Sequence, residues 1–350
     1  VSDPKLSPAA AAAAWPVDGP VRAIADGGLI NQTFVVGQPP AAVLQWLNPI
    51  FAPAVNADID AVTRHLRHAG LPTPTVLPTR DEGLWLDDPK MGCWRMLSWV
   101  PGITVHRVES PARAHAAGAT LGRFHAALDG WSAPRHAPVR RIHDTPARMA
   151  ELEAALADHR AHPLYDAVAP VADTVLRAWQ RWPGRLDLPE RTCHGDPKIS
   201  NIRFDESGHG ICMIDLDTVG PQTLDCELGD AWRSWCNPAG EDHTDGAAVD
   251  LELFAASARG FFETAPCLEE DERVLLVPGL ERICLELAAR FARDALRNSY
   301  FREDRSRFRE PGAHNLHRAR VQLALGQDAA RQRDACAEAL RHAAATARSS

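Results

Sequence analysis

His194-Gly195-Asp196-Pro197-Lys198-Ile199-Ser200-Asn201 gathers a carboxylate, a cation and a side-chain amide in one short loop. Ile214-Asp215-Leu216-Asp217 adds two carboxylates shortly afterwards. An Asp followed five residues later by an Asn, with another Asp downstream, is a spacing suited to phosphoryl transfer from a metal-bound triphosphate. Asp196 would accept a hydrogen bond from an attacking hydroxyl, align it and receive its proton. Asn201 and Asp215 offer hard oxygen donors; Mg²⁺ takes few protein ligands when phosphates complete its shell. Lys198 would neutralise charge on the moving phosphate. His194 reads as a packing and hydrogen-bonding residue that holds the loop. Asp217 is either an outer or second-metal group or the cap of a loop or helix. A bare His-Gly-Asp is an ordinary turn; Asn201 and Asp215 at these spacings carry the chemistry.

Such a loop needs a platform for the nucleotide and a separate body for the acceptor. Up to Val100 the sequence reads as strands with one helix. Val21–Ala25 and Thr33–Val36 flank Asp26-Gly27-Gly28-Leu29-Ile30-Asn31, and Ala42–Leu47 follows as a third strand. Gly27, Gly28 and Asn31 would form a turn over the phosphates, since glycine lets backbone amides approach closely. An ordinary hairpin competes with that reading. Ile59, Val62, Leu66 and Ala69 recur at helical spacing, with Gly70 placed to end the helix. Val76–Leu77, Leu84–Leu86 and Trp94–Val100 are further strands, the last ending in a hinge whose Ser98 and Val100 backbone would face adenine. Past Pro101-Gly102 the pattern turns helical. Ser110-Pro111 is a helix start, and the spacing predicts helices near 147–159, 165–182, 249–263, 272–295 and 314–325. Strands Ile202–Phe204 and Ile211–Ile214 interrupt them beside the catalytic motifs. The expected architecture is α+β and bilobal, protein-kinase-like, with residues 1–100 as nucleotide lobe and hinge and 101–350 as helical lobe with catalytic loop, metal site and acceptor pocket.

One expected element is missing. Kinases pair a third-strand Lys with a helix Glu to hold the triphosphate. Here Val43-Leu44-Gln45-Trp46-Leu47-Asn48 carries Gln45 at that place, and the next helix has Asp58 and Asp60. Either Gln45 contacts the nucleotide or the lobe binds it weakly.

At 350 residues the chain has room for two lobes, and 45% hydrophobic with 24% charged residues is ordinary for a globular protein. A net charge of −8 argues against broad binding of nucleic acid or anionic membrane, though it allows a local cationic pocket. Eight scattered cysteines without a C-x-x-C pair read as reduced thiols, pointing to the cytoplasm. No apolar run reaches the roughly 20 residues that span a bilayer, and Ala9–Ala14 reads as a short N-terminal helix. His65/His68 and His314/His317 lack companions for a metal site and read as packing residues.

The catalytic-loop motifs, with Leu228-Gly229-Asp230-Ala231-Trp232-Arg233-Ser234, resemble the aminoglycoside phosphotransferase and choline kinase group. Gly28-Leu29-Ile30-Asn31-Gln32-Thr33, Val43-Leu44-Gln45-Trp46-Leu47-Asn48, Leu121-Gly122-Arg123-Phe124-His125, Glu286 and Arg290-Phe291-Ala292-Arg293-Asp294 are similar to its N-acetylhexosamine 1-kinase branch. There a Leu-Gln-x-x-Asn pattern also replaces the strand Lys. The resemblance spans about residues 20 to 325 and implies an enzyme using ATP and Mg²⁺ to phosphorylate the anomeric hydroxyl of a free N-acetylated hexosamine. Arg290, Asp294 and Tyr300 are then candidates to bind the sugar, although Arg290 and Asp294 at i,i+4 spacing could equally form a surface ion pair. Kinases of another sugar, an aminoglycoside or choline, and a catalytically silent binding module, are the alternatives.

Overall fold

The computed structural model describes residues 7–24, 30–89, 92–132, 135–138, 141–240, 246–266, 268 and 270–347. The expected Gly27–Gly28 turn lies outside them. A short helix α1 (Pro8–Ala12) precedes a five-stranded antiparallel sheet. Its strands are β1 (Val21–Ala23), β2 (Gln32–Val36), β3 (Ala42–Trp46), β4 (Leu86–Asp88) and β5 (Gly92–Ser98), in the order β1-β2-β3-β5-β4. α2 (Val55–His68) connects β3 to the later strands and buries Ile59, Val62 and Leu66. Leu44, Trp46, Trp94 and Met96 are buried with Ala11 and Ala12 of α1 and with Trp15 just beyond it, which donates through Nε1 to the Leu77 carbonyl at 2.9 Å.

The rest is mainly helical. Strand β6 (Ile103–Thr104) leads into α3 (Pro111–Leu128), whose Ser110 cap accepts from the Arg113 amide. Then come α4 (Thr145–Asp158), α5 (Tyr165–Gln180) and β7 (Glu190–Cys193). β8 (Ile202–Phe204) and β9 (Gly210–Met213) form a hairpin that β6 joins, and β10 (Gly220–Thr223) pairs with β7. α6 (Leu224–Trp235), α7 (Leu251–Thr264), α8 (Glu270–Arg297), α9 (Ala313–Arg331) and α10 (Arg333–Ala347) complete the chain. α6 was not expected from the sequence. Its Gly229 approaches Gly279 of α8 so closely that a Cβ would stand 2.5 Å from the Gly279 carbonyl oxygen. Helices α3, α6 and α7 share a core of Phe124, Trp232, Phe254 and Phe261, each worth roughly 1.5–3 kcal/mol on burial. α10 closes this core with Cys336, Leu340 and Ala343, so the Ala/Arg-rich end is a packed helix.

The chain is thus an α+β protein with a sheet lobe and a mainly helical lobe. Among the described residues seven cysteines are unpaired and buried, and no helix is long and apolar enough to cross a membrane.

Candidate active site

The catalytic-loop residues converge between the two lobes. The loop leaves β7, turns through Gly195 at φ +82°, makes one 3-10 turn over Ile199–Asn201 and enters β8. A side chain at Gly195 would put its Cβ 2.6 Å from the Thr218 carbonyl oxygen, so glycine is required there. Lys198 Nζ donates to Asp196 Oδ2 at 2.6 Å, and Asn201 Nδ2 donates to the Asp196 carbonyl at 2.8 Å and to Oδ2 at 3.1 Å. With its nitrogen held on Asp196, Asn201 turns its Oδ1 away from it. Burial alone would push the Asp196 carboxyl up; the Lys198 ammonium outweighs this and holds it below the usual carboxylate value. Asp196 therefore stays ionised, as a proton acceptor must.

Asp215 follows β9 in the left-handed region, at φ 64° and ψ 60°. A non-glycine residue there costs about 1–3 kcal/mol unless its surroundings enforce it. They do: the Ile214 amide donates to the Asn201 carbonyl at 2.8 Å, His194 Nε2 bonds to the Ile214 carbonyl at 2.9 Å, and Thr218 Oγ1 donates to the His194 carbonyl at 2.7 Å. His194 Nδ1 accepts from the Asp196 amide at 3.3 Å, which makes Nε2 the protonated nitrogen. His194 is a brace, as its residue type suggested. Burial, then the neighbouring Asp217 charge, push the Asp215 carboxyl up to about 6. A half-buried carboxylate short of positive charge, on a turn bonded to Asn201, joins the Asn201 amide oxygen in a donor set that fits a hard divalent cation.

What suspends the loop was not legible from spacing or residue type. Glu227 of α6 is buried; its Oε1 accepts from the His194 amide at 2.8 Å and from His125 Nε2 at 3.1 Å, and its Oε2 accepts from the Gly195 amide at 2.9 Å. Trp235 Nε1 donates to the Pro197 carbonyl at 2.9 Å, so this Trp is a buttress in the core. His125, Cys193 and Glu227 put ligand-type atoms within 4.8 Å of one another. That trio is structural: Glu227 is occupied by the loop, and Cys193 Sγ donates to the Gln222 carbonyl at 3.4 Å, with burial pushing the thiol well up.

Several expected nucleotide contacts are used within the protein. Asn31 is buried: its Nδ2 donates to Asp217 Oδ2 at 2.6 Å and its Oδ1 accepts from the Asn48 amide at 3.0 Å. Gln45 donates through Nε2 to Thr33 Oγ1 at 3.2 Å and accepts from Arg95 Nε at 2.8 Å. The Ser98 amide bonds to the Thr75 carbonyl at 2.8 Å, and its hydroxyl accepts from the Thr75 amide at 2.9 Å, so Ser98 closes a loop instead of presenting its amide to a base. The Val100 carbonyl accepts from Arg203 Nη2 at 3.0 Å. Asp217 is no cap; it pairs with Arg95, a charge within an apolar strand to which the sequence reading assigned no role.

Among the acceptor candidates, Asp294 is buried and takes the amides of Ser299 at 3.0 Å, Tyr300 at 3.0 Å and Phe301 at 2.8 Å, with Asn315 Nδ2 at 3.1 Å. It anchors the chain leaving α8, which corrects both its expected sugar contact and its pairing with Arg290. Arg290 lies 4.0 Å from Glu286, with its guanidinium over the Tyr300 and Phe301 rings at 5.7 and 5.5 Å. Beside the loop, α6 presents Asp230, bonded to Arg233 Nε at 2.9 Å. Burial raises the Asp230 carboxyl, against the pull of Arg233 and His143. The Arg233 charge also acts on Asp196. Deeper in, Glu286 accepts from His143 Nδ1 at 2.9 Å and Thr145 Oγ1 at 2.6 Å, while His143 Nε2 is buried without a hydrogen-bond partner.

A sheet lobe over a helical lobe, with these groups between them, is the architecture of small-molecule kinases, and residues 21–266 match the phosphotransferase enzyme family. The chain belongs to that family. Its fold is similar to an amicoumacin kinase, hAmiN, solved with AMP-PNP, Ca²⁺ and amicoumacin, at 15% identity and TM-score 0.62, covering 90% of this chain and 91% of that one. An aminoglycoside phosphotransferase from Alicyclobacillus acidocaldarius aligns at 17% identity and TM-score 0.59, over 99% and 98% of the two chains. A choline/ethanolamine kinase family protein from Mesorhizobium loti aligns at 20% identity and TM-score 0.55, over 96% and 98%.

Proposed function

We propose that this chain is a cytoplasmic ATP-dependent kinase of a neutral, hydroxyl-rich small molecule, with the anomeric hydroxyl of an N-acetylhexosamine as acceptor. The observation that carries the kinase reading is the Asp196–Lys198–Asn201–Asp215 cluster at the junction of the lobes. Residues 1–100 would supply the nucleotide lobe and 101–350 the acceptor side. Asp196, kept ionised by Lys198, orients the acceptor hydroxyl and takes its proton as the oxygen attacks the γ-phosphorus and the bond to the β,γ-bridging oxygen breaks, releasing ADP. Lys198, already on Asp196, meets charge on the transferring group. Asn201 Oδ1 and Asp215 would hold Mg²⁺, which neutralises phosphate oxygens and orients the triphosphate.

The acceptor reading rests on charge balance beside the loop. Asp230 is matched by Arg233, and Glu286 by His143 with Arg290 nearby. An aminoglycoside polycation calls for an acidic surplus, and choline for open aromatic faces. Here Arg290 already covers Tyr300 and Phe301. Paired donors and acceptors suit the hydroxyls and acetamido group of a neutral sugar. An amicoumacin kinase and an aminoglycoside phosphotransferase share this fold, so an aminoglycoside or another small alcohol is the second reading.

Purified protein incubated with ATP, Mg²⁺, N-acetylglucosamine, N-acetylgalactosamine, glucose, galactose, choline and an aminoglycoside, with mass spectrometric detection, tests both. A hexosamine 1-phosphate that falls about 10²–10⁴-fold in Asp196→Asn is the expected result. Product only from choline or the aminoglycoside refutes the acceptor assignment. Nucleotide binding without product from any alcohol refutes catalysis and favours a binding module.

A further inference from the structure

The strand-cation problem has an answer on the neighbouring strand. Directly across the β3–β5 ladder from Gln45 stands Arg95. It is 1% exposed, and its nitrogens are all committed. Nε donates to Gln45 Oε1 at 2.8 Å, Nη1 to Asn56 Oδ1 at 3.4 Å and to Asp217 Oδ1, and Nη2 to Asp217 Oδ2 at 2.9 Å. Asn31 donates to the same carboxylate at 2.6 Å and is itself fixed by the Asn48 amide at 3.0 Å. Gln45 on β3 and Asn56 on α2 thus hold Arg95, and Arg95 on β5 and Asn31 before β2 converge on one acid of the helical lobe, two residues beyond Asp215.

So enclosed an arginine spends four of its five N–H donors inside the protein, and its strongest effect passes through Asp217. Burying two charges is costly, and the attraction between them repays that cost only when the geometry is specific. A bidentate fork held by an orienting amide is specific geometry. The strained Asp215 turn is pinned on one side by Asn201 and His194 and on the other by Thr218 and Asp217. Through Asp217, the sheet lobe therefore reaches into that turn.

We propose that Arg95 is the positioning residue that replaces the strand-Lys and helix-acid pair of other kinases. With Gln45 aiming it and Asp217 as its counter-ion, it docks the nucleotide lobe onto the Asp215 turn and fixes the geometry in which Asp215 meets a divalent cation. Gln45 orients Arg95 instead of touching phosphate. This inference rests on the kinase reading above.

The test uses the full chain as wild type, Arg95→Met, Arg95→Lys, Asp217→Asn and the Arg95→Met/Asp217→Asn double variant. Calorimetry measures binding of a non-hydrolysable ATP analogue over a Mg²⁺ series; thermal melts establish folding, and turnover gives acceptor KM. The Mg²⁺ concentration for half-maximal nucleotide binding should rise about 10–100-fold in Arg95→Met and Asp217→Asn. Arg95→Lys, which keeps the charge but not the fork, should fall between. The double variant should be no worse than the worse single one, because both remove the same contact. Acceptor KM should stay at the wild-type value. Wild-type Mg²⁺ dependence in folded Arg95→Met and Asp217→Asn overturns the proposal, as does a loss read mainly in acceptor KM. Should Arg95→Met not fold, unchanged Mg²⁺ dependence in Arg95→Lys and Asp217→Asn overturns it equally. A wild-type protein that binds no nucleotide with Mg²⁺ overturns the kinase reading itself, and this inference with it.

Discussion

Glu227→Gln keeps the volume of the side chain on which the catalytic loop hangs and removes its charge. One carboxylate oxygen must become an NH₂ group. At the Oε1 position it would oppose both the His194 amide and His125; at Oε2 it would oppose the Gly195 amide alone. The second arrangement loses less, yet it leaves a buried amide facing another donor, costing about 2–4 kcal/mol. The two surviving bonds weaken from charge-assisted to neutral, adding on the order of 1 kcal/mol. For 350 residues the total corresponds to a fall in Tm of about 4–7 °C at pH 7.5. The effect has a pH signature. Burial raises the Glu227 carboxyl, but the His125 hydrogen bond and charge and the loop amide bring it below the usual value. A depressed carboxyl contributes stability above its unfolded pKa, and that contribution is lost as pH falls through the folded one. The gap between wild type and variant, read by scanning calorimetry, should narrow in acid. A Glu227→Gln protein melting within about 1 °C of wild type at pH 7.5 would refute the suspension of the loop from α6.

The buried His143–Glu286 pair predicts a limb on the alkaline side. Burial lowers the His143 pKa, but Glu286 more than reverses this and the net shift is upward. Its contribution is complete below the ordinary histidine value and disappears as pH rises through the raised one. Melting temperature should decline over that interval in wild type and stay flatter in His143→Asn, as a pH series of thermal melts will show. Asp294→Ala should cost about 2–4 kcal/mol in urea unfolding, because three backbone amides and Asn315 lose their acceptor. Limited proteolysis should then cut near residues 298–301 faster than in wild type; an unchanged rate would mean that Asp294 does not anchor this segment.

The parts of this protein that the sequence revealed are those governed by short-range rules. Asp196, Asn201 and Asp215 come together because one short loop and the hairpin that follows it carry all three. Ser110-Pro111 starts α3 because a capping hydroxyl and a residue without an amide proton suit the first turn. α6 escaped notice because it is buried on nearly all sides and carries Asp225, Glu227, Asp230 and Arg233 inward, which destroys the apolar period of a surface helix. β6, β7 and β10 are two to four residues long, too short for alternation to register. Asp294 was misread because i,i+4 spacing describes a helix in isolation, whereas this carboxylate turns to the amides just past the helix end. The signal for Arg95 was present: a charge among Cys93, Trp94, Met96 and Leu97, at a position that could face Gln45 once β3 and β5 pair.

The path of the chain between the lobes governs how the cleft can breathe. After β5 the backbone is riveted to the catalytic hairpin, for Arg203 donates to the Val100 and Gly102 carbonyls and to Thr104 Oγ1 while lying over the Trp99 ring. Far along the sequence, the His136 and Ala137 amides return to Asp58 of α2 at 2.6 and 3.1 Å. A body fastened at two separated points retains, to first order, a single rotation about the line through them. The sheet lobe is therefore hung like a door, with Asn31 and Arg95 on Asp217 as its latch. Opening the cleft would take release of that latch and a swing of one angle, and a substitution at either fastening would free a second axis.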